Sequence, residues 1–319
     1  MPIIGVPRAL LYYEFFPLWN GFFTSLGWEV VTSEPTTKGT IDQGVSMAVD
    51  ETCFPIKVFY GHFLELCHRC DFIFLPRLVS IEPRAYICPK FMGLPDLVRG
   101  LTTQPILEPV VNLHSNKDYW RQLWGAAQLT GAKMGIKSNF RIGQALLCGL
   151  KEQQKHYQSL NNIVSPENTS TQKPRGRIGV IGHPYTIYDP AVNMNLLRFL
   201  ENAGYQVVTP YNFPNQLLTA IANELPKELF WTYGRKVIGA ARLWYQRKLV
   251  DGIIDLVTFG CGTDSVTGEI IERLVRRESN LPFLLLTVDE HTGEAGFYTR
   301  LEAFIDMIQF KAAIAGGDV

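Results

Sequence analysis

The chain has 319 residues, 46% of them hydrophobic, and its 30 Lys and Arg balance its 30 Asp and Glu. That apolar content excludes a disordered chain, and the lack of net charge leaves no field that would draw it to DNA, RNA or an acidic membrane. The length accommodates one large core or two ordinary ones, and two lobes are expected.

The opening residues Met1-Pro2-Ile3-Ile4-Gly5-Val6-Pro7-Arg8 lack a basic stretch leading into an apolar one, and Glu14 and Pro17 interrupt the aromatic run that follows, so no secretion signal is read. No segment reaches the roughly 18 to 20 uninterrupted apolar residues of a membrane span, and a cytoplasmic location is expected. Along the chain, Ile4-Gly5-Val6 reads as a first strand, followed by an amphipathic helix that ends at Leu26-Gly27 and a second strand through Trp28-Glu29-Val30-Val31-Thr32. Cys53 opens a helix whose first turn holds Pro55, and Asp71-Phe72-Ile73-Phe74-Leu75 is a continuous apolar run of the kind buried on both faces of a parallel sheet. Lys117 to about Gln158 reads as helical, and Ser159 to Gly176 as a linker rich in Asn, Ser, Thr and Pro.

The chain then begins again. Ile178-Gly179-Val180 echoes the first strand, Val192, Leu196, Phe199, Leu200 and Ala203 recur at helical spacing, and Ala203-Gly204-Tyr205-Gln206-Val207-Val208-Thr209 repeats the turn into a second strand. Ile254 to Phe259 and Phe283 to Val288 are further strands, and the last helix carries Leu301, Phe304, Ile305 and Ile308 on one face, expected to pack on the second sheet. The strand, helix, strand order predicts α/β architecture, two Rossmann-like doubly wound lobes with a cleft between them, joined by a helical segment. The boundary is placed near residue 170, giving lobes 1–170 and 171–319.

Six cysteines in a long cytoplasmic chain point to metal or redox chemistry rather than disulfides. In open α/β sheets ligands gather beyond the carboxyl ends of the strands, which favours Cys53, Cys88 and Cys261 as metal ligands. Cys261 follows a strand inside Gly260-Cys261-Gly262-Thr263-Asp264-Ser265, where Gly260 and Gly262 let backbone N–H groups approach an inorganic group. Cys53 heads a helix, where free N–H groups and the helix dipole favour the metal-binding thiolate, and Lys57 lies one turn on. Cys88 repeats the pattern with Pro89 and Lys90.

The rival Cys67-His68-Arg69-Cys70 stands about 14 residues beyond Cys53, roughly 20 Å along a helix, and lacks two further zinc ligands nearby, so Cys67 and Cys70 are read as structural. Cys148 lies in an apolar helical stretch and is read as core. Asp289-Glu290-His291-Thr292-Gly293-Glu294 is read as the capping loop of the last helix, with a metal or acid–base role as the alternative. Tyr185, Asp189 and Asn193 either line a pocket or order a long turn.

Six stretches together resemble a known family: Ile4-Gly5-Val6-Pro7-Arg8-Ala9-Leu10, Glu51-Thr52-Cys53-Phe54-Pro55-Ile56-Lys57, Cys88-Pro89 with Gly93-Leu94-Pro95-Asp96, Gly182-His183-Pro184-Tyr185, Gly260 to Ser265, and Asp289-Glu290-His291-Thr292 with Thr299 to Phe304. The chain resembles the proteins related to 2-hydroxyacyl-CoA dehydratases and their ATP-dependent activases. The resemblance implies an oxygen-sensitive iron–sulfur cluster in the cleft, either a 4Fe-4S cubane or an 8Fe-9S double cubane, held by Cys53, Cys88 and Cys261. It also implies low-potential electrons from an ATP-dependent activase as partner, in a homo- or hetero-oligomer. No Walker-type loop is present, which assigns ATP hydrolysis to a partner chain. The alternatives are a non-catalytic scaffold subunit of such a system, with α-helical residues Trp120, Leu123 and Trp124 at an interface, and a phosphate cradle at Gly260 to Gly262.

Overall fold

The structure is a computed structural model and describes residues 1–162 and 174–316. It divides into two compact units, one formed by Met1–Ser159 with Leu229–Tyr233 and the other by Leu160–Glu228 with Gly234–Val319. The expected lobe boundary near residue 170, and most of the expected linker, lie outside the described residues.

In the first unit the chain runs β1 (Ile3–Val6), α1 (Tyr12–Ser25), β2 (Glu29–Thr32), α2 (Lys38–Met47), α3 (Phe54–Leu66), β3 (Phe72–Phe74), β4 (Arg77–Ser80), α4 (Pro89–Val98), β5 (Ile106–Leu107), β6 (Val110–Asn112), α5 (Tyr119–Lys133) and α6 (Asn139–Asn162), the last reaching past Ser159. Four parallel strands pair in the order β2-β1-β3-β5. Beyond β3 and β5 the same two chain segments pair again as β4-β6, also parallel. Pro76 and Pro109 stand at the two breaks, and a proline contributes no N–H to a ladder. The strand neighbourhood is therefore continuous while the sheet is interrupted.

Aromatic side chains fill the core on one side of this sheet. Phe22, Phe23, Trp28 and Phe74 pack with Ile4, Val6 and Leu107, and Ile142 and Ala145 of α6 complete the cluster. The expected single helical stretch from Lys117 is two helices, because Gly135 takes φ +77, a left-handed conformation that ends α5. Leu229–Tyr233 also belongs here: Trp231 bridges Tyr86 in parallel, Tyr86 N donates to Phe230 O at 2.7 Å and Thr232 N to Tyr86 O at 2.9 Å.

Helices α2 and α3 cross at glycines. A Cβ on Gly61 would lie 2.0 Å from the Thr40 carbonyl oxygen, and one on Gly44 would lie 1.9 Å from that of Lys57. Backbone cannot yield as a flexible side chain can, so Gly61→Ala is expected to cost about 3 kcal/mol by forcing the helices apart. A fall in the urea midpoint at unchanged m-value measures it, and an unaltered midpoint would refute the close crossing.

The second unit contains β7 (Gly176–Ile181), α7 (Pro184–Ile187), α8 (Leu196–Asn202), β8 (Tyr205–Val208), α9 (Asn215–Ala222), α10 (Thr232–Arg247, whose first two residues belong to the first unit), β9 (Gly252–Thr258), α11 (Gly262–Glu278), β10 (Phe283–Val288) and α12 (Glu294–Gly316). Its strands pair, all parallel, in the order β10-β9-β7-β8. Counted along the chain, both sheets have their second, first, third and fourth strands side by side in that order, so the sequence echo is an echo of topology. The α/β, Rossmann-like class read from the sequence holds for both units. The last helix packs on the second sheet as expected: a Cβ on Gly252 would meet Ile308 Cδ1 at 2.7 Å and Phe304 Cζ at 2.9 Å.

Candidate functional site

In the second unit the strand order reverses between β7 and β9, because β8 lies on the outer side of β7 and β10 on the outer side of β9. The chain leaving the carboxyl ends of such a pair diverges to opposite faces and opens a crevice. Two segments emerge there, Gly182-His183-Pro184-Tyr185 after β7 and Phe259-Gly260-Cys261-Gly262 after β9. Gly260 takes φ +76, a left-handed turn that favours glycine, and the next residue, Cys261, is the N-cap of α11. Gly262 begins the helix, and the space where its Cβ would stand is open for at least 4 Å.

His183, Cys261 and Asp264 converge at this point, with one donor atom from each lying within 4.8 Å of the others. His183 Nε2 is 2.7 Å from Asp264 Oδ1, and the imidazole stacks on Tyr185 at 5.0 Å between centroids. The other carboxylate oxygen of Asp264 accepts from Thr258 N at 3.3 Å, and Thr263 Oγ1 stands 3.2 Å from the Cys261 sulfur. Burial alone would depress His183, yet the Asp264 charge and hydrogen bond, with a further hydrogen bond to Cys261, raise its pKa well above the ordinary imidazole range. For Asp264, burial pushes up, and His183 together with the Thr258 and Cys261 hydrogen bonds pulls down further, leaving it below the usual carboxylate range. The pair is thus an imidazolium and a carboxylate taken out of water.

Within β9, nine residues before Asp264, the shift runs the other way. Asp255 of β9 is buried, its Oδ2 has no hydrogen-bond partner among the described residues, and burial followed by the Asp264 charge raises its pKa well above the normal value. Burial and the Asp264 charge thus favour the protonated form of Asp255.

Of the sequence candidates, Cys53 and Cys88 lie in the first unit and Cys261 in the second. All three are helix N-caps: Cys53 of α3, Cys88 of α4 and Cys261 of α11. Their carbonyls accept the first helical bonds, from Ile56 N at 3.0 Å, Phe91 N at 3.0 Å and Ser265 N at 3.1 Å. Proline in the first turn of α3 and α4 suits a position whose N–H is unused. Cys53 is buried, and Cys88 and Cys261 are partly exposed. Lys57, in the first turn of α3, is buried.

The remaining cysteines occupy other kinds of position. Cys67 is the C-cap of α3, at the opposite end from Cys53, and burial raises its thiol pKa. The Cys70 thiol is pushed up to about 11, chiefly by burial, and its sulfur fills the space above Gly5, 2.6 Å from where a Cβ would stand. Cys148 lies within α6, half-buried.

The other polar clusters order their own loops. Asp189 Oδ1 accepts from Ala191 N at 3.0 Å, and Asn193 bonds Ile187 O and Leu196 N. Asp289 Oδ1 accepts from His291 N at 3.0 Å and from Thr292 Oγ1 at 2.7 Å, closing the turn before α12. His183 and Asp264 escaped selection as site residues, although each stands in a quoted motif. The position immediately after β7, paired with the position after β9, was the available signal.

A family model described as the CoA enzyme activase uncharacterised domain (DUF2229) matches residues 3–212. Over 60 residues the chain is 37% identical to "Putative dehydratase subunit YjiM" of Escherichia coli (strain K12). That stretch covers 18% of this chain and 16% of the length of that relative.

Proposed function

The chain belongs to the CoA enzyme activase uncharacterised domain family, and from that premise we propose that it is an iron–sulfur component of a dehydratase-related system. In this reading Cys53, Cys88 and Cys261 hold the cluster, and low-potential electrons arrive from an ATP-hydrolysing activase partner. The observation that carries it is the shared local geometry of these three cysteines. Each is the N-cap of a helix, where free N–H groups and the dipole favour an inorganic group of negative charge, whereas Cys67, Cys70 and Cys148 have no such position.

The donor set suits iron, since soft thiolates select iron–sulfur clusters over hard cations. When bound, a cluster of this kind supplies low-potential electrons, and three protein thiolates leave one iron open to a small molecule. The chain's own residues would set its surroundings. His183, held by Asp264, presents a hydrogen bond to the Cys261 sulfur, and Lys57 places a cation one turn beyond Cys53. The open space at Gly262 lets a bulky group approach the first N–H groups of α11.

Iron and acid-labile sulfide content of the full chain purified without oxygen tests the proposal. About four or eight irons per chain with visible charge-transfer absorption are expected for a cubane or a double cubane. Colourless protein that also resists anaerobic reconstitution would overturn it. The second reading, a scaffold subunit without a cluster, draws on exposed apolar side chains of α5 and α6, where Trp120, Phe140 and Leu147 are each more than half exposed. An ATPase captured by iron-free protein would favour that reading.

A further inference from the structure

The first unit contains a partly open cavity that neither the cysteines nor the His183 pair uses. Its volume is about 140 Å³, and it lies among α1, α5 and α6 beside the strands β4 and β6, with Phe15, Trp19, Phe22, Leu123, Ala127 and Leu146 among its walls. An apolar void of this size is ordinarily removed by collapse of the surrounding helices. Here the helices are braced against it.

Helices α1 and α6 already touch through glycines. A Cβ on Gly149 would fall 2.5 Å from Leu18 O, and one on Gly21 would fall 3.0 Å from Gly149 Cα. Beside that crossing, Pro17 interrupts α1, and the Gln153 side chain enters its hydrogen-bond ladder, donating from Nε2 to Glu14 O at 2.7 Å and accepting at Oε1 from Leu18 N at 3.3 Å. The buried Glu14 carboxylate is tied in turn by the hydroxyls of Tyr157, at 3.3 Å, and Tyr233, at 2.5 Å. On the other wall α5 meets α6 at Gly131, where a Cβ would stand 2.6 Å from Ile142 Cδ1. None of the three helices can approach its neighbour further without backbone or core collision.

The lining also states what the space accepts. It contains no charged residue; its one threonine, Thr130, spends its hydroxyl on Ala126 O at 2.8 Å, and Trp19 and Tyr119 are the other lining side chains that carry a polar atom. An ion placed here would lose its water with no charged partner to replace it, so the lining favours an uncharged, largely apolar group. We propose that this cavity is a binding site for a small uncharged hydrocarbon group, a single aromatic ring or a short aliphatic chain. An apolar cavity of about 150 Å³ is known to admit benzene. The group could be a free molecule or the apolar end of a larger one, and the two sources are separable.

The full chain is titrated with toluene and, separately, with a hexanoyl thioester of pantetheine, following the melting temperature and ligand-observed NMR. Saturable binding of either probe is expected: toluene alone identifies a free small molecule, and the thioester alone or both identify a tethered chain. In Ala126→Leu, which extends a side chain into the space, the same probe is expected to bind about tenfold more weakly or worse. Leu123→Ala, which enlarges the space, is expected to extend binding to a two-ring compound such as naphthalene. No saturable binding of either probe to the wild-type chain, or binding that Ala126→Leu leaves unchanged, would overturn the proposal.

Discussion

Anaerobically purified Cys261→Ala protein is expected to hold about tenfold less iron and acid-labile sulfide than the wild type, with its far-UV circular dichroism unaltered. A cluster retained by three thiolates loses a ligand outright, a larger change than removal of an outer-shell partner, which typically costs 10- to 100-fold in affinity. Cys53→Ala and Cys88→Ala should behave alike, because each removes the thiol at the N-cap position of α3 or α4. The remaining cysteines are the control. Cys67→Ala and Cys148→Ala should keep the wild-type iron content. Cys70→Ala should keep it too while losing about 1 to 2 kcal/mol of stability, because its sulfur packs over Gly5. Wild-type iron content in Cys261→Ala would remove that residue from the ligand set, and loss of iron in Cys148→Ala would undo the distinction between capping and non-capping cysteines.

Opposite outcomes are expected for two neighbouring changes in the second unit. His183→Ala should destabilise by about 3 to 5 kcal/mol, because it leaves the buried Asp264 carboxylate without its counter-charge. Asp255→Asn should be neutral or stabilising at pH 7, because an amide replaces an acid whose ionisation the buried site opposes. The pH dependence separates the two. His183 has a raised pKa in the fold, so its contribution is complete below about 6.5, its unfolded value, and fades as pH rises through the folded one. Asp264 is depressed, so its contribution is complete above about 3.9 and fades as pH falls through its folded value. The deficit of His183→Ala should therefore be widest between about pH 4 and 6.5.

For Asp255 the folded pKa is raised, so the wild type loses stability as pH climbs above about 3.9, where the unfolded chain ionises and the folded one does not. Relative to wild type, Asp255→Asn should gain by up to about 1.4 kcal/mol per pH unit in that range and gain nothing below it. Urea midpoints taken from pH 3 to 8 measure both. An Asp255→Asn profile parallel to the wild type would mean that Asp255 is ionised in the fold. A His183→Ala protein as stable as wild type at pH 5.5 would mean that the pair is not buried. Adding Asp264→Asn to His183→Ala should recover part of the loss, since it removes the stranded charge.

The sequence by itself determined the doubled α/β order, because apolar runs such as Ile254 to Phe259, closed by turns such as Leu26-Gly27 and Ala203-Gly204, report burial and chain reversal locally. It likewise determined that Cys53 would head a helix, since Pro55 is local punctuation, and that Cys261 would follow a strand; that Cys261 also caps α11 came from the structure. It read one helix where Gly135 makes two, because a lone glycine inside a helical pattern does not announce its φ. Only the tertiary structure decided that His183 meets Asp264, residues 81 positions apart that come together because β7 and β9 are neighbours at the point where the strand order reverses. The same holds for the opposite states of Asp255 and Asp264. Two aspartates nine residues apart look identical in sequence, and desolvation with or without a counter-charge shifts one pKa up and the other down. Ionisation depends on what surrounds a group in three dimensions, and no local pattern of residues encodes that.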